Sequence, residues 1–265
     1  MDLGLKDKVI LITGGASGIG GAITRACLAE GAEAIVVSRV SIGVDDFVSE
    51  MQASGLPFEF FTAELGDPDE CRRAIEHVSM RYGCLDALVN NAGVNDGVGL
   101  EHGNPQRFKD SLILNTLSSY TLAHYGLPML QQSRGSIVNI GSKVALTGQG
   151  GTSGYAAAKG AILALTREWA AELLPYGIRV NAVLPAEVMT PAYTAWLATL
   201  QNPDALLHRI TEQIPLGQRM TTPEEIAAAV AFLLSPIQSG HTTGQQLLVD
   251  GGYVHLDRML TVAKI

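Results

Sequence analysis

The sequence predicts an α/β fold in which one domain, residues 1–265, is built on a doubly wound parallel sheet. Short runs of β-branched residues alternate with longer helical patterns, which is typical of repeated βαβ units. These runs are almost continuously apolar, as expected for strands that are covered on both faces. No Pro- or Ser-rich linker divides the chain, and it contains no fixed-period repeat.

The predicted elements follow in order along the chain. Strands are predicted at residues 9–13, 34–38, 58–62, 87–90, 136–140, 178–184 and 246–249. Helical patterns occupy residues 20–30, 68–82, 111–130, about 153–174 and 226–234; Gly31 ends the first and Pro68 starts the second. Residues 190–222 lie between a strand and the last helix and have a weaker helical pattern, so we expect them to form a substrate lid.

The composition excludes several functions. The formal net charge is -8 and no run of Lys or Arg occurs, which disfavours binding to nucleic acid or to an anionic membrane. The apolar run 226–234 is too short to span a bilayer, and residues 1–8 lack a signal-peptide pattern. Cys27, Cys71 and Cys84 fit neither a disulfide framework nor a metal site. A cytoplasmic protein without a metal is predicted.

A glycine-rich loop follows the first strand and opens the first helix. Gly14, Gly18 and Gly20 allow the backbone to turn sharply and to approach a pyrophosphate, while the helix N-terminus offers free N–H groups. The alternative is a plain strand-to-helix turn. The loop predicts a dinucleotide site, with Ser17 and Ile19 completing the contacts.

The end of the second strand indicates which nicotinamide cofactor is bound. A carboxylate at this position binds the ribose hydroxyls of NAD and repels a 2′-phosphate. This chain has Ser38 followed by Arg39, which suit a 2′-phosphate better. NADP is therefore predicted, with NAD possible, although an arginine at a strand end also commonly faces solvent.

Tyr155 and Lys159 are four residues apart at the start of a long helical pattern, so they share one helix face. A nearby ammonium favours the phenolate and brings a tyrosine closer to the range in which it acts as a base. Ser142 follows the fifth strand, and Asn115 lies in an apolar helical pattern. Taken singly, each residue also has an ordinary structural explanation.

Together these motifs resemble the short-chain dehydrogenase/reductase family, which has a Rossmann-type fold. The resemblance covers about residues 6–253 and rests on Thr-Gly-x-x-x-Gly-Ile-Gly at 13–20, Asn-Asn-Ala-Gly at 90–93, Asn-Thr-Leu at 115–117, Tyr-x-x-x-Lys at 155–159 and Ile-Arg-Val-Asn at 178–181. Two departures occur. Glu64-Leu65 replaces the usual Asp-Val beside the adenine, and Pro185-Ala186 replaces Pro-Gly.

The resemblance implies a role for each member of a catalytic tetrad. Tyr155 would be the general base in alcohol oxidation, Ser142 would hold the reacting oxygen, and Lys159 would bind the nicotinamide ribose and lower the tyrosine pKa. Asn115 would position a water in a proton relay. Further cofactor contacts are expected from residues at the positions that bind the cofactor in the family: Glu64, Leu65, Asn90, Ala92, Gly93, Val188 and Thr190. The family is commonly tetrameric, so a homotetramer is expected.

Polar residues flank the predicted site and favour a substrate with many hydroxyls. The candidate substrate residues, besides Ser142 and Tyr155, are Asn95, Lys143, Gln149, Glu187 and Trp196. Residues 90–97, 147–150, 185–191 and 249–258 resemble bacterial L-fucose dehydrogenases, which oxidise the anomeric carbon of aldoses. A 3-oxoacyl-thioester reductase, or another carbonyl or secondary-alcohol reductase, is the alternative; a non-catalytic cofactor-binding protein is the remote one. The tail 254–265 is a candidate to complete a site.

Overall fold

The computed structural model describes residues 2–41 and 43–256, and within them seven parallel strands form one sheet in the order β3-β2-β1-β4-β5-β6-β7. The strands are β1 (Val9–Thr13), β2 (Glu33–Ser38), β3 (Phe58–Thr62), β4 (Ala87–Asn90), β5 (Ser136–Ile140), β6 (Arg179–Pro185) and β7 (Gln246–Val249). The predicted fold class, a single α/β domain with a parallel sheet, is confirmed.

Helices cover both faces of this sheet. They are α1 (Gly18–Ala29), α2 (Val44–Ala53), α3 (Pro68–Tyr82), α4 (Pro105–Leu112), α5 (Ser118–Ser133), α6 (Ser153–Glu172), α7 (Pro191–Leu197), α8 (Pro203–Glu212) and α9 (Pro223–Leu234). No helix in residues 2–41 and 43–256 is both long enough and apolar enough to cross a bilayer.

Alternating side chains of the central strand divide the core into two layers. Ile10 and Ile12 of β1 belong to a buried cluster that includes Ile23 of α1 and Val230 of α9. Leu11, between them, belongs to a second cluster on the opposite face with helices α3 and α5. Successive residues of a strand point to opposite faces, so a continuous apolar run is required to fill both layers.

The order of the strands determines where the site lies along the sheet. β1 pairs in parallel with β2 on one side and with β4 on the other, so the order along the sheet reverses at β1. In sheets of this kind a crevice opens outside the carboxyl ends of the strands where the order reverses. The glycine loop follows β1 and residues 91–97 follow β4, so both segments lie at this crevice.

Two helices were not predicted from the sequence. Only Ser111 of α4 is buried, and the helix is mostly polar, so it lacks the buried apolar residues that mark a helix in a sequence. Helix α2 buries only Val44, Phe47 and Met51. The helical pattern predicted at 111–130 is divided in the structure, because a π-helical turn at Ile113–Leu117 joins α4 to α5. The lid segment 190–222 contains α7 and α8.

Candidate active site

A cleft of about 1120 Å³ opens along the carboxyl edge of the sheet. It is lined by the glycine loop, by segments that follow β2 to β7, and by α7 and α8 of the lid segment. All predicted catalytic, cofactor and substrate residues line it except Asn90, Asn115 and Val188. Those three are buried, with at most 5% of each residue exposed.

The glycine loop leaves space that a side chain would fill. Gly14 and Gly18 have φ of 61° and 51°, in the left-handed region that glycine adopts without strain. A methyl group on Gly20 would overlap the carbonyl oxygen of Gly14, which is backbone and has no room to move aside. Ser17 begins α1 without a side-chain cap, and the first turn has no acidic residue. Free N–H groups and the helix dipole therefore favour an anion such as a pyrophosphate here.

Thr13 and Asn91 tie the glycine loop to the segment after β4. The Thr13 hydroxyl accepts hydrogen bonds from the backbone N–H groups of Asn91 and Ala92, both at 2.9 Å. The Asn91 side chain donates to the carbonyl oxygen of Thr13 at 2.8 Å. Asn91 was not among the predicted site residues, although its place in the Asn-Asn-Ala-Gly motif was a signal for it.

Arg39 stands at the far end of the cleft, where the adenosine half of a dinucleotide would lie. Its guanidinium is 3.6 Å from the Glu64 carboxylate, and the two side chains are 65% and 50% exposed. An exposed pair of this kind contributes little to stability. The guanidinium can therefore turn towards an incoming phosphate at small cost.

Tyr155, Ser142 and Lys159 meet at the centre of the cleft. The tyrosine lies one turn before Lys159 on α6, and the Lys159 ammonium is 5.6 Å from the centre of the phenol ring. Burial raises the pKa of Tyr155, and a hydrogen bond from Ser142 acts in the opposite direction. The Ser142 hydroxyl also accepts a hydrogen bond from the N–H of Val144, so the loop after β5 holds it in place.

Lys159 is held at the base of the site. Its ammonium donates to the carbonyl oxygen of Ile140 at 2.7 Å, and burial lowers the pKa of Lys159 from 10.5 to about 8. At neutral pH the group is still mostly protonated and supplies positive charge beside the phenol. It therefore favours the phenolate that base catalysis requires.

Asn115 acts on the backbone beside Lys159. It lies in the π-helical turn, where its side-chain oxygen accepts a hydrogen bond from the N–H of Val94 at 2.8 Å and its amide donates to the Ser111 carbonyl oxygen at 3.0 Å. A Cβ on Gly93 would lie 2.8 Å from the Asn115 oxygen and 3.4 Å from the Lys159 ammonium. Asn115 and Lys159 thus face each other across Gly93.

The other two buried positions also act from below the cleft surface. The Asn90 side chain donates to Asn139 at 2.9 Å and so joins β4 to β5. Val188 pairs with Thr221 in an isolated parallel bridge, and its side chain belongs to the buried core. Both residues hold segments that line the cleft and do not present a side chain to it.

The substrate half of the cleft contains a buried ion pair. The Lys143 ammonium contacts the Glu187 carboxylate, and the two side chains are 8% and 15% exposed. The Tyr193 hydroxyl donates to Glu187 at 3.0 Å, and Tyr193 packs edge-on against Trp196 at 5.2 Å between ring centres. These side chains come from the loops after β5 and β6 and from α7.

Tyr253 also lines the cleft and was not predicted as a site residue. Its ring lies 4.0 Å from the Lys143 ammonium. An aromatic residue directly after Asp250-Gly251-Gly252, beyond the last strand at the carboxyl edge of the sheet, was the available signal. Residues 257–265 of the predicted tail lie outside the described residues.

This arrangement fits a nicotinamide dinucleotide and a polar substrate. When bound, the nicotinamide supplies the acceptor or donor of a hydride. In this arrangement Ser142 could hold the substrate oxygen, and Tyr155 could exchange a proton with that oxygen. Lys159 would then stabilise the phenolate, and the walls of the cleft would orient the substrate.

Known proteins match this chain over nearly its whole length. A family model described as enoyl-(acyl carrier protein) reductase matches residues 14–254. L-fucose dehydrogenase of Bos taurus is 36% identical over 247 residues, which cover 92% of this chain and 88% of the relative. The 3-oxoacyl-(acyl-carrier-protein) reductase FabG of Thermotoga maritima is 36% identical over 253 residues, covering 94% and 99%.

Solved structures of dehydrogenases also match this chain over nearly its whole length. The crystal structure of Cj0485 dehydrogenase has a TM-score of 0.91 and 44% identity, and the match covers 97% of this chain and 98% of that one. The ligand-free aldohexose dehydrogenase of Thermoplasma acidophilum has a TM-score of 0.87 and 29% identity, with 97% and 98% covered. The chain belongs to the short-chain dehydrogenase/reductase family. Its chemistry is that of an NAD(P)-dependent oxidoreductase.

Proposed function

We propose that this protein is an aldose 1-dehydrogenase that prefers NADP, with L-fucose as the best substrate among common sugars. The observation that carries the proposal is the buried Lys143–Glu187 pair on the substrate side of the cleft, next in sequence to Ser142. Buried charged groups favour a ligand that replaces water with its own hydroxyls and penalise an apolar chain. L-fucose dehydrogenase of Bos taurus and the aldohexose dehydrogenase structure support the sugar class.

In the proposed reaction the C1 hydroxyl of a cyclic aldose is oxidised. The C1–H bond breaks and its electron pair leaves as a hydride to oxidised cofactor, while the hydroxyl proton passes to Tyr155. The C1–O bond becomes the carbonyl of a lactone, so the sugar loses one hydride to the cofactor and one proton to the Tyr155 phenolate, two electrons and two protons in all. Tyr155 and Ser142 face the same region of the cleft, where a C1 oxygen would lie between them.

The second candidate is a reductase of 3-oxoacyl thioesters or of other carbonyl compounds. FabG of Thermotoga maritima is as similar to this chain as the L-fucose dehydrogenase is, and the matching family model is described as an acyl-carrier-protein enzyme. An acidic carrier protein would need a basic docking surface, whereas this chain has a net charge of -8. The polar substrate half of the cleft also disfavours an acyl chain.

A direct assay separates the two candidates. Purified protein is mixed with NADP or NAD and with L-fucose, D-arabinose, L-galactose, D-glucose or L-rhamnose, and absorbance is followed at 340 nm. The reverse direction is tested with acetoacetyl thioesters and reduced cofactor. Rapid reduction of NADP with L-fucose supports the proposal; turnover of thioesters together with inactivity on all five sugars would replace it with the second candidate.

Removal of Arg39 tests the proposed cofactor preference. Arg39→Ala should raise KM for NADP about tenfold or more and change KM for NAD by less than about threefold, because only NADP has the 2′-phosphate that the guanidinium would bind. Arg72→Ala on α3, also a partly exposed arginine, is the matched control. Equal changes in KM for NADP and for NAD would show that Arg39 does not bind the 2′-phosphate.

A homotetramer in the cytoplasm is also part of the proposal. Phe232 of α9 and Leu247 of β7 are each 38% exposed, and we propose that both side chains lie in a subunit interface.

A further inference from the structure

Four side chains from four separate segments form a cluster on the wall of the cleft, beside the catalytic residues. Glu187 contacts Lys143 through one carboxylate oxygen and accepts from the Tyr193 hydroxyl through the other. The ring of Tyr253 packs under the Lys143 ammonium at 4.0 Å. All four residues line the cleft, and we refer to them as the ion-pair cluster.

A buried ion pair of this kind is a weak source of fold stability. Two charges that are 8% and 15% exposed lose most of their hydration, and their attraction often repays no more than that loss. Two apolar side chains of similar size would stabilise such a position as well or better. A charged pair held against this cost at the substrate side of a cleft is expected to serve binding.

Within residues 2–41 and 43–256, the two charged groups retain hydrogen-bonding capacity that no other group uses. An ionised carboxylate has about four acceptor positions, and Glu187 uses one for Lys143 and one for Tyr193. An ammonium has three donors, and Lys143 directs one to Glu187. The pair therefore presents one acceptor group and one donor group side by side at the wall of the cleft.

We propose that the Lys143–Glu187 pair recognises, by hydrogen bonding, two adjacent hydroxyls of the sugar other than the one that is oxidised. Glu187 accepts a hydrogen bond from one hydroxyl, and Lys143 donates to the oxygen of its neighbour. The inference rests on the proposed function, because it requires an aldose substrate. It goes further by assigning the specificity for a vicinal diol to one ion pair.

Tyr193 and Tyr253 are positioning residues in this account. The Tyr193 hydroxyl fixes the orientation of the Glu187 carboxylate from helix α7 of the lid segment. Tyr253 is presented by a turn that Asp250 holds, since its carboxylate accepts from the N–H groups of Gly252 and Val254 at 2.8 and 2.9 Å. The Tyr253 ring then stabilises the Lys143 ammonium through a cation–π contact, which requires an aromatic side chain at this position.

The test combines variants with deoxy sugars. The double variant Lys143→Met/Glu187→Leu removes both charges, so that neither is left buried without a partner. Wild type and variant are assayed with the best aldose and with its 2-, 3- and 4-deoxy derivatives. Arg25→Met/Glu50→Leu removes an exposed ion pair between α1 and α2 and is the matched control. Binding of reduced cofactor, followed by fluorescence, checks that each variant is folded.

We expect wild type and the control to lose about 100-fold in kcat/KM when either of two adjacent hydroxyls is removed. The cluster variant should lose less than about fivefold for the same changes, because the groups that read those hydroxyls are gone. Tyr253→Leu should reduce the discrimination, because it removes the cation–π contact with Lys143. Equal losses in wild type and cluster variant would overturn the inference while leaving the proposed function intact. Absence of turnover with every aldose would overturn both.

Discussion

Tyr155→Phe is expected to lower kcat for aldose oxidation at least about a thousandfold, while binding of reduced cofactor changes by less than about threefold. The variant lacks the hydroxyl that accepts the substrate proton, and general base catalysis of this kind contributes about 10²–10⁴-fold. The ring itself is retained, so the packing of this buried position is preserved. Stopped-flow absorbance at 340 nm measures the step directly.

A matched change in the same cleft shows whether the effect is specific. Tyr193→Phe also removes a tyrosine hydroxyl, but one that contacts Glu187 and not Ser142. Its effect should appear in kcat/KM and should be smaller than about thirtyfold. A Tyr155→Phe variant with more than a tenth of the wild-type kcat would show that another group accepts the proton.

Lys159→Met is expected to inactivate the enzyme and at the same time stabilise the fold. Burial lowers the pKa of Lys159 from 10.5 to about 8, which corresponds to about 3 kcal/mol of unfavourable free energy for the protonated group at neutral pH. Methionine removes that cost but loses the hydrogen bond to the Ile140 carbonyl oxygen, worth about 1 kcal/mol. The free energy of unfolding at pH 7 should therefore rise by about 2 kcal/mol, and kcat/KM should fall at least about a hundredfold.

The pH dependence gives this prediction a second readout. Between pH 8 and 10.5 the unfolded chain binds a proton at Lys159 that the folded chain has lost, so wild-type stability gains relative to the variant as pH rises. The difference in the free energy of unfolding between Lys159→Met and wild type should have its full value below pH 8 and should be close to zero at about pH 9.5. Urea denaturation at pH 7 and at pH 9.5 measures this difference. An advantage that did not change with pH would show that burial of the charge is not its origin.

The sequence predicted the sheet well because its strands are buried on both faces. Val9–Thr13 and Ser136–Ile140 have every residue buried, and their apolar runs could be read without knowledge of the partners. Helix α4 was missed because Ser111 is its one buried residue. The π-helical turn around Asn115 has no sequence signal of its own, since it depends on how α4 and the turn itself pack on α6.

The centre of the site was also predictable, whereas the contacts around it were not. Tyr155 and Lys159 lie one turn apart on a helix, so their proximity follows from local geometry. Lys143 and Glu187 are 44 residues apart, and they meet because β5 and β6 are neighbours in the sheet. Tyr253 reaches Lys143 only through the turn that Asp250 holds after β7. Contacts between distant segments require the strand order before they can be inferred.

The central claim, that C1 of an aldose is the oxidised atom, is tested most directly by ¹³C NMR of a reaction with L-fucose labelled at C1. The account predicts that the anomeric signals are replaced by a lactone or carboxylate carbonyl signal, with one molecule of cofactor reduced for each C1 oxidised. A labelled carbon that remains anomeric while cofactor is reduced would place the oxidation elsewhere on the sugar and contradict the account.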